Sequence, residues 1–355
     1  MDNVISPEPC PGALADSGRP ALAETYAVAG RFVCVEAPDT ESAELFRRFF
    51  AGWHFSRVEG APAPAPDATI SVSPGAPPPP PEGLESFETA GGGLCRTDGR
   101  TYLFERNGSA VRAVGGRRGV EVWIGRGADS RERSALARLV FESTMVALRR
   151  CGLFELHAAG VVEPRTGGGY LVVGPSGSGK STLATQLASV GWRYLSDDAL
   201  LLRGGSGPVE AYALRREFAV TEQTVASGVL EGFEELLKEP VPFDPLKRRF
   251  KPHAAFPEGF AESCVPRAIF FPVITNGPAS SARRITQAET MRGLLRMCPW
   301  ACYDRPAAAA HLGLLARLAR QAAGFELSAG RDLLGDAGHS ADYLRGLVGR
   351  ERVVE

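Results

Sequence analysis

Residues 174–182 read GPSGSGKST, which satisfies G-x-x-x-x-G-K-[ST] through Gly174, Gly179, Lys180 and Ser181. The apolar run YLVV precedes it, and the amphipathic stretch STLATQLASVG, ending at Gly191, follows it. Strand, glycine-rich turn and helix in that order predict an α/β layer with the turn at its edge. The residue types follow from what phosphate requires. Its oxygens need several inward-pointing backbone N–H donors, so the backbone must come close and adopt torsions that glycine permits. The helix that follows turns the positive end of its dipole to the same place. Gly174, Pro175, Ser176, Gly177, Ser178 and Gly179 would form the cradle, with Lys180 neutralising phosphate charge, Ser181 ligating Mg²⁺ and Thr182 closing the motif. A plain Gly/Ser turn is the alternative. Against it, Lys180 is one of only four lysines in the chain, and it stands where the motif requires one.

After the helix, residues 192–195 (WRYL) lead into Ser196, Asp197 and Asp198, followed by ALLL. An apolar strand ending in two carboxylates beside a phosphate loop suits a Mg²⁺–nucleotide site. One acid can hold the metal (Asp197, with Ser181) while the other accepts a proton from an attacking hydroxyl. A turn capped by an Asp pair is the other reading, but two adjacent acids on an apolar strand are costly without a nearby cation. An LSGGQ-like signature is absent, and none of the four lysines sits in an [NT]KxD motif. Transport-type ATPases and GTPases are therefore excluded.

The run from Leu156 to Leu202, LHAAGVV…GYLVVGPSGSGKSTLATQLASVGWRYLSDDALLL, resembles the catalytic core of the HPr kinase/phosphorylase family. The shared features are a histidine-bearing strand, a GxSGxGKS loop, a helix ending near glycine, and a strand closing in Asp-Asp. The resemblance implies a P-loop kinase domain of the HPr kinase/phosphoenolpyruvate carboxykinase type, using ATP and Mg²⁺ to phosphorylate a serine hydroxyl of a protein or peptide. It implies a phosphate-binding role for Gly174, Ser176, Gly177, Gly179, Lys180 and Ser181. Asp197 and Asp198 would be base and metal partner, their order left open, and His157 would orient phosphate or the acidic pair. The family's later Arg-Gly segment has no counterpart here, and residues before 130 do not look like its N-terminal domain. A small-molecule hydroxyl as acceptor, and a non-catalytic nucleotide-binding regulatory protein, stay open beside the protein-kinase reading.

The remaining sequence supplies the frame. A chain of 355 residues predicts two domains. Its 40 basic and 41 acidic residues leave no broad attraction for nucleic acid or an anionic membrane. The start lacks the n- and h-regions of a secretory signal, so a cytoplasmic protein is expected. The seven cysteines are scattered without metal-like spacing.

Residues 1–25 read as a disordered lead-in, residues 26–128 as a smaller mixed α+β domain, and residues 129–355 as the phosphate-loop domain. In the first, residues 26–36 read as strand. Leu45, Phe46, Phe49, Phe50 and Trp53 recur at helical spacing and predict a core-facing stripe. Asp129 with Glu132 fits a capping box. Residues 154–163 and 169–174 predict a hairpin, and residues 221–237 a helix. Residues 267–274 read as a buried strand and residues 307–323 as an amphipathic helix. In the basic segment KEPVPFDPLKRRFKPH, Lys247, Arg249 and Lys251 are nominated as further phosphate contacts, and Arg267 could reach the site. Homo-oligomer formation is left open.

Overall fold

The computed structural model describes residues 22–349 apart from 61–62, 90–91, 126–131, 227, 229, 238–239, 242–243, 276 and 299. The first sheet is built from β1 (Leu22–Val28), β2 (Arg31–Ala37), β3 (Ser56–Arg57), β4 (Ala68–Pro74), β5 (Glu85–Glu88), β6 (Leu94–Thr97), β7 (Thr101–Arg106), β8 (Ser109–Val114) and β9 (Gly119–Ile124). Their order is β3-β1-β2-β4-β9-β8-β7-β6-β5. β4 runs parallel to β2 and β9, and the other neighbours are antiparallel. β1 starts at Leu22, so four residues expected in the unstructured lead-in are strand. Pairing with β2 supplies their hydrogen bonds, and Glu24 is buried between Arg47 (2.7 Å) and Arg57 (2.9 Å). Tertiary pairing overrides weak local propensity here.

Helix α1 (Thr40–Ala51) begins at Asp39, whose carboxylate accepts the Ser42 N–H at 2.7 Å. The expected aromatic stripe packs inward. Phe46 and Phe50 are buried, and Phe49 stacks on Trp53 at 4.7 Å. Helix α2 (Glu132–Arg150) lies on the same sheet, where Leu139, Val140, Met145 and Leu148 share a core with Val33, Ile70, Phe104 and Val122. The first core therefore continues past residue 128. Asp129, the expected cap, and the expected boundary between residues 128 and 129 lie outside the described residues.

Beyond α2 come β10 (Leu153–Leu156), β11 (Ala158–Val162), β12 (Gly169–Val173), β13 (Arg193–Ser196), β14 (Leu200–Arg203), β15 (Glu210–Ala213), β16 (Phe218–Thr221), β17 (Pro240–Val241), β18 (Asp244–Phe250), β19 (Ser263–Cys264), β20 (Pro266–Ile274), β21 (Ser281–Ile285) and β22 (Ala323–Ala329). They form an antiparallel sheet β10-β14-β15-β19, a mixed sheet β13-β11-β12-β20-β22-β21 and a ribbon β16-β18-β17. The helices are α3 (Lys180–Ser189), α4 (Glu222–Ala226), α5 (Pro252–Ala255), α6 (Gln287–Arg296), α7 (Trp300–Tyr303), α8 (Arg305–Gln321), α9 (Arg331–Gly335) and α10 (Ala337–Gly349).

The expected hairpin is β11–β12, and β12 lies parallel to β20 at the centre of the mixed sheet. Both faces of β12 are covered, which explains its unbroken apolar run. Leu171 and Val173 enter a core shared with α6 and α8, while Tyr170 and Val172 enter one shared with α3 and α10.

Two further expectations differ. The helix over residues 221–237 shrinks to α4 and a single turn at Glu234–Leu236, because Gly228 and Gly232 adopt φ of +76° and +80° and break it. Arg267 lies at the opposite end of β20 from Ile274, which borders the site. Seven residues of strand, about 23 Å, separate it from Ile274. Among the described residues no helix is long and apolar enough to cross a membrane.

Candidate functional site

β12 delivers the chain to the loop and α3 takes it away. Gly177 (φ +82°) and Gly179 (φ +93°) hold the left-handed torsions that the turn needs. Gly179 is the N-cap of α3 and makes no side-chain cap, so the first-turn N–H groups are left for another acceptor. The loop borders a cleft of about 790 Å³ whose walls include Ser176, Lys180, Ser181, Asp198, Lys247 and Arg331.

Lys180 is buried, and its Nζ donates to the carbonyls of Gly174 (2.8 Å) and Pro175 (3.0 Å) and to His157 Nε2 (3.0 Å). Burial draws its pKa down against the opposing pull of Asp198 and Asp197. His157 stands between β10 and β11, where the chain passes from one sheet to the next. An ammonium can only donate, so Nε2 accepts, and the imidazole proton sits on Nδ1, 3.4 Å from Asp198 Oδ1. Burial lowers the His157 pKa more than Asp198 raises it, which keeps the ring neutral.

The two aspartates at the end of β13 occupy different environments. Asp197 is 1% exposed. Its Oδ2 accepts the Ala219 N–H at 2.7 Å. Burial pushes its pKa up to about 6, with the Asp198 charge adding to the effect. The nearby Ser181 hydroxyl pulls the other way, yet Oδ1 makes no hydrogen bond of ordinary geometry. Asp198 opens to the cleft, and its Oδ2 lies 3.3 Å from Arg215 Nη1. Burial would raise its pKa, but Arg215, His157, Lys180 and Lys247 together hold it below the usual range. The environment thus separates two chemically identical acids, one reluctant to ionise and one held as carboxylate.

An orphaned, buried carboxylate oxygen beside a serine hydroxyl fits a hard divalent cation, which takes oxygen ligands. No group of three or more His, Cys, Asp and Glu side chains forms a ready-made metal cage among the described residues. A cation held by Asp197 and Ser181 would need phosphate oxygens and water to complete its shell.

Of the nominated cations, Lys247 reaches across from β18 to donate to Ser176 Oγ at 2.9 Å. Arg249 on the same strand and Lys251 before α5 do not line the cleft. Thr182 is turned onto α4, its hydroxyl 2.7 Å from that of Thr224. The buried Ser178 hydroxyl sits under Gly174, where an added Cβ would come within 2.6 Å of it. The residue that sequence reasoning missed is Arg215. It belongs to no motif, and beside Asp198 it also bridges to Trp53, far away in the chain.

No family model matches the chain, and no curated protein matches it. Among solved structures, the HPr(Ser) kinase/phosphatase from Coxiella burnetii is similar over 54% of this chain and 96% of that one, at 11% identity and a TM-score of 0.28. Nothing about this chain's chemistry follows from a likeness that slight.

Proposed function

We propose that this protein is an ATP- and Mg²⁺-dependent kinase that transfers the γ-phosphoryl group to a hydroxyl, a serine of a protein or peptide. The observation that carries the reading is the split acid pair at the mouth of a phosphate loop. Asp197 offers an unpaired oxygen where a cation is needed, and Asp198 is kept ionised where a base is needed. Mg²⁺, when bound at Asp197 and Ser181, supplies charge neutralisation to the phosphates.

The chain's own residues do the rest. Backbone N–H groups of residues 176–182 orient the phosphates, and Lys180 leaves its loop carbonyls to neutralise them. Asp198 takes the acceptor's proton as the acceptor oxygen bonds to the γ-phosphorus and the bond to the bridging oxygen breaks. Arg215 keeps Asp198 ionised, and neutral His157 fixes Lys180 and Asp198 relative to each other. Lys247, poised on Ser176, can follow the phosphates as the loop fills.

The test is incubation of purified protein with γ-labelled ATP and Mg²⁺ in clarified lysate of its source, with Lys180→Ala as control. Label in one protein or peptide, lost by at least about 10³-fold in the variant, is expected. Label confined to small molecules would move the acceptor to a metabolite. ATP binding without any transfer would overturn the kinase reading.

A further inference from the structure

Arg215 reaches Asp198 from a position that the first module fixes. The segment at residues 214–216 docks on the turn that ends α1. His54 N–H donates to the Leu214 carbonyl (2.8 Å), Arg216 N–H to the Gly52 carbonyl (3.1 Å), and Arg216 Nε to the Trp53 carbonyl (2.5 Å). Trp53 and Arg215 pair as an isolated antiparallel bridge. The Arg215 guanidinium lies over the Trp53 ring, 5.4 Å from its centroid, while Nη1 meets Asp198. Arg215 Nε is buried without a partner, so hydrogen bonds alone do not fix the guanidinium. Behind it, Trp53 is 8% exposed and held by Phe49 (4.7 Å) and Phe141 (6.0 Å), which belong to α1 and α2.

We infer that Trp53 is a positioning residue for phosphoryl transfer: its indole holds Arg215 against Asp198, so the first module completes the site of the second. The inference rests on the kinase reading for its kinetic consequence, but not for its geometry. A guanidinium attracted to the face of a tryptophan keeps its orientation at low cost. Without the ring, the part-exposed Arg215 side chain gains rotamers. Asp198 then loses the guanidinium that fixes its Oδ2 in place, while the glycine-rich loop is untouched. Removing Trp53 should therefore lower kcat and leave the KM for ATP alone.

The test uses the full chain with Trp53→Ala, Trp53→Phe, Arg215→Ala and the double variant Trp53→Ala/Arg215→Ala. Trp53→Ala should lower kcat about tenfold with KM for ATP unchanged. Trp53→Phe, which keeps an aromatic face, should recover most of that loss. In the Arg215→Ala background, loss of Trp53 should add nothing. Multiplying losses in the double variant, or a Trp53→Phe no better than Trp53→Ala, would overturn the inference.

A second readout needs no catalysis: hydrogen exchange at Arg215 Nε–H by NMR of arginine-labelled protein, assigned with Arg215→Lys. Slow exchange in the wild type and in Trp53→Phe, but fast exchange in a folded Trp53→Ala, supports the positioning role even if no transfer is found. Equal protection in all three refutes it even if the protein is a kinase.

Discussion

Two of the mixed-charge clusters among the described residues are finished to different degrees. One joins α2, β10 and the start of α8. Arg149 Nε meets both oxygens of Glu155 (3.0 and 3.1 Å), and its Nη1 lies 3.3 Å from Asp304 Oδ2. Arg150 Nη2 takes Asp304 Oδ1 at 2.8 Å. All four side chains are at most 6% exposed, and every carboxylate oxygen is bonded, although Arg150 Nε has no partner. The other is the site cluster of Lys180, His157, Asp197, Asp198 and Arg215. There one buried oxygen has no partner, Lys180 is held by the loop's own carbonyls, and Asp198 and His157 are 28% and 29% exposed. A balanced, closed cluster costs desolvation and returns it as fixed geometry between elements. An unfinished one is tolerated only where something else is meant to bind.

That contrast can be broken most sharply by exchanging the consequences. Asp198→Asn should reduce transfer by about 10²–10⁴-fold, the range for loss of a general base, leave ATP affinity close to wild type, and cost less stability than a change in the closed cluster. Asp304→Ala should do the reverse. It takes the carboxylate from buried Arg150 and leaves Arg149 with Glu155 alone, and should cost about 3–5 kcal/mol in denaturant unfolding, while the fraction still folded transfers at the normal rate. An Asp304→Ala protein as stable as wild type would remove the distinction between the clusters, as would an Asp198→Asn enzyme with full turnover.

A smaller effect sharpens it through pH. Asp197 has a raised pKa in the folded chain, so ionising it costs stability. The penalty grows as pH rises from the unfolded value of about 3.9 through the folded value of about 6, then levels off. Asp198, lowered in the fold, contributes stability at neutral pH that is lost as pH falls through its folded pKa. Asp197→Asn should therefore stabilise the nucleotide-free protein at pH 8 by about 1–3 kcal/mol, with the gain fading towards pH 4. Mg²⁺ and nucleotide should raise the melting temperature of wild type more than that of the variant. No gain at pH 8 would mean that the Asp197 carboxylate is already paired.

The glycine-rich turn at residues 174–179, the hairpin strand before it and the place of the Asp pair at the end of β13 were legible in the sequence because each is a run of consecutive residues with a local physical requirement. His157 was legible too, though its tautomer and its link between Lys180 and Asp198 needed the sheets in place. The aromatic stripe of α1 announced itself as core, but not that Trp53 would carry Arg215. Contacts that join residues 53 and 215 leave no periodic trace in either segment. Lys247, Arg249 and Lys251 looked equivalent as charges; β18 sets Lys247 opposite Thr221 and Arg249 opposite Ala219, and it is the side-chain reach of Lys247 to Ser176 that tells them apart. The helix over residues 221–237 failed for a local reason visible only in hindsight, two glycines whose torsions end it.

The smallest test separates space from torsion in the loop itself. At Gly177 an added Cβ would meet nothing within 4 Å, yet φ is +82°. Gly177→Ala should thus cost only the left-handed backbone penalty, about 1–2 kcal/mol, read as a lower melting temperature and weaker ATP binding together. Gly177→Asn should cost less than Gly177→Ala, since asparagine tolerates that region although it is the larger side chain. If the loss instead followed side-chain size, the turn would be limited by crowding, and the torsional account of the phosphate cradle would fail while the rest of the site stood.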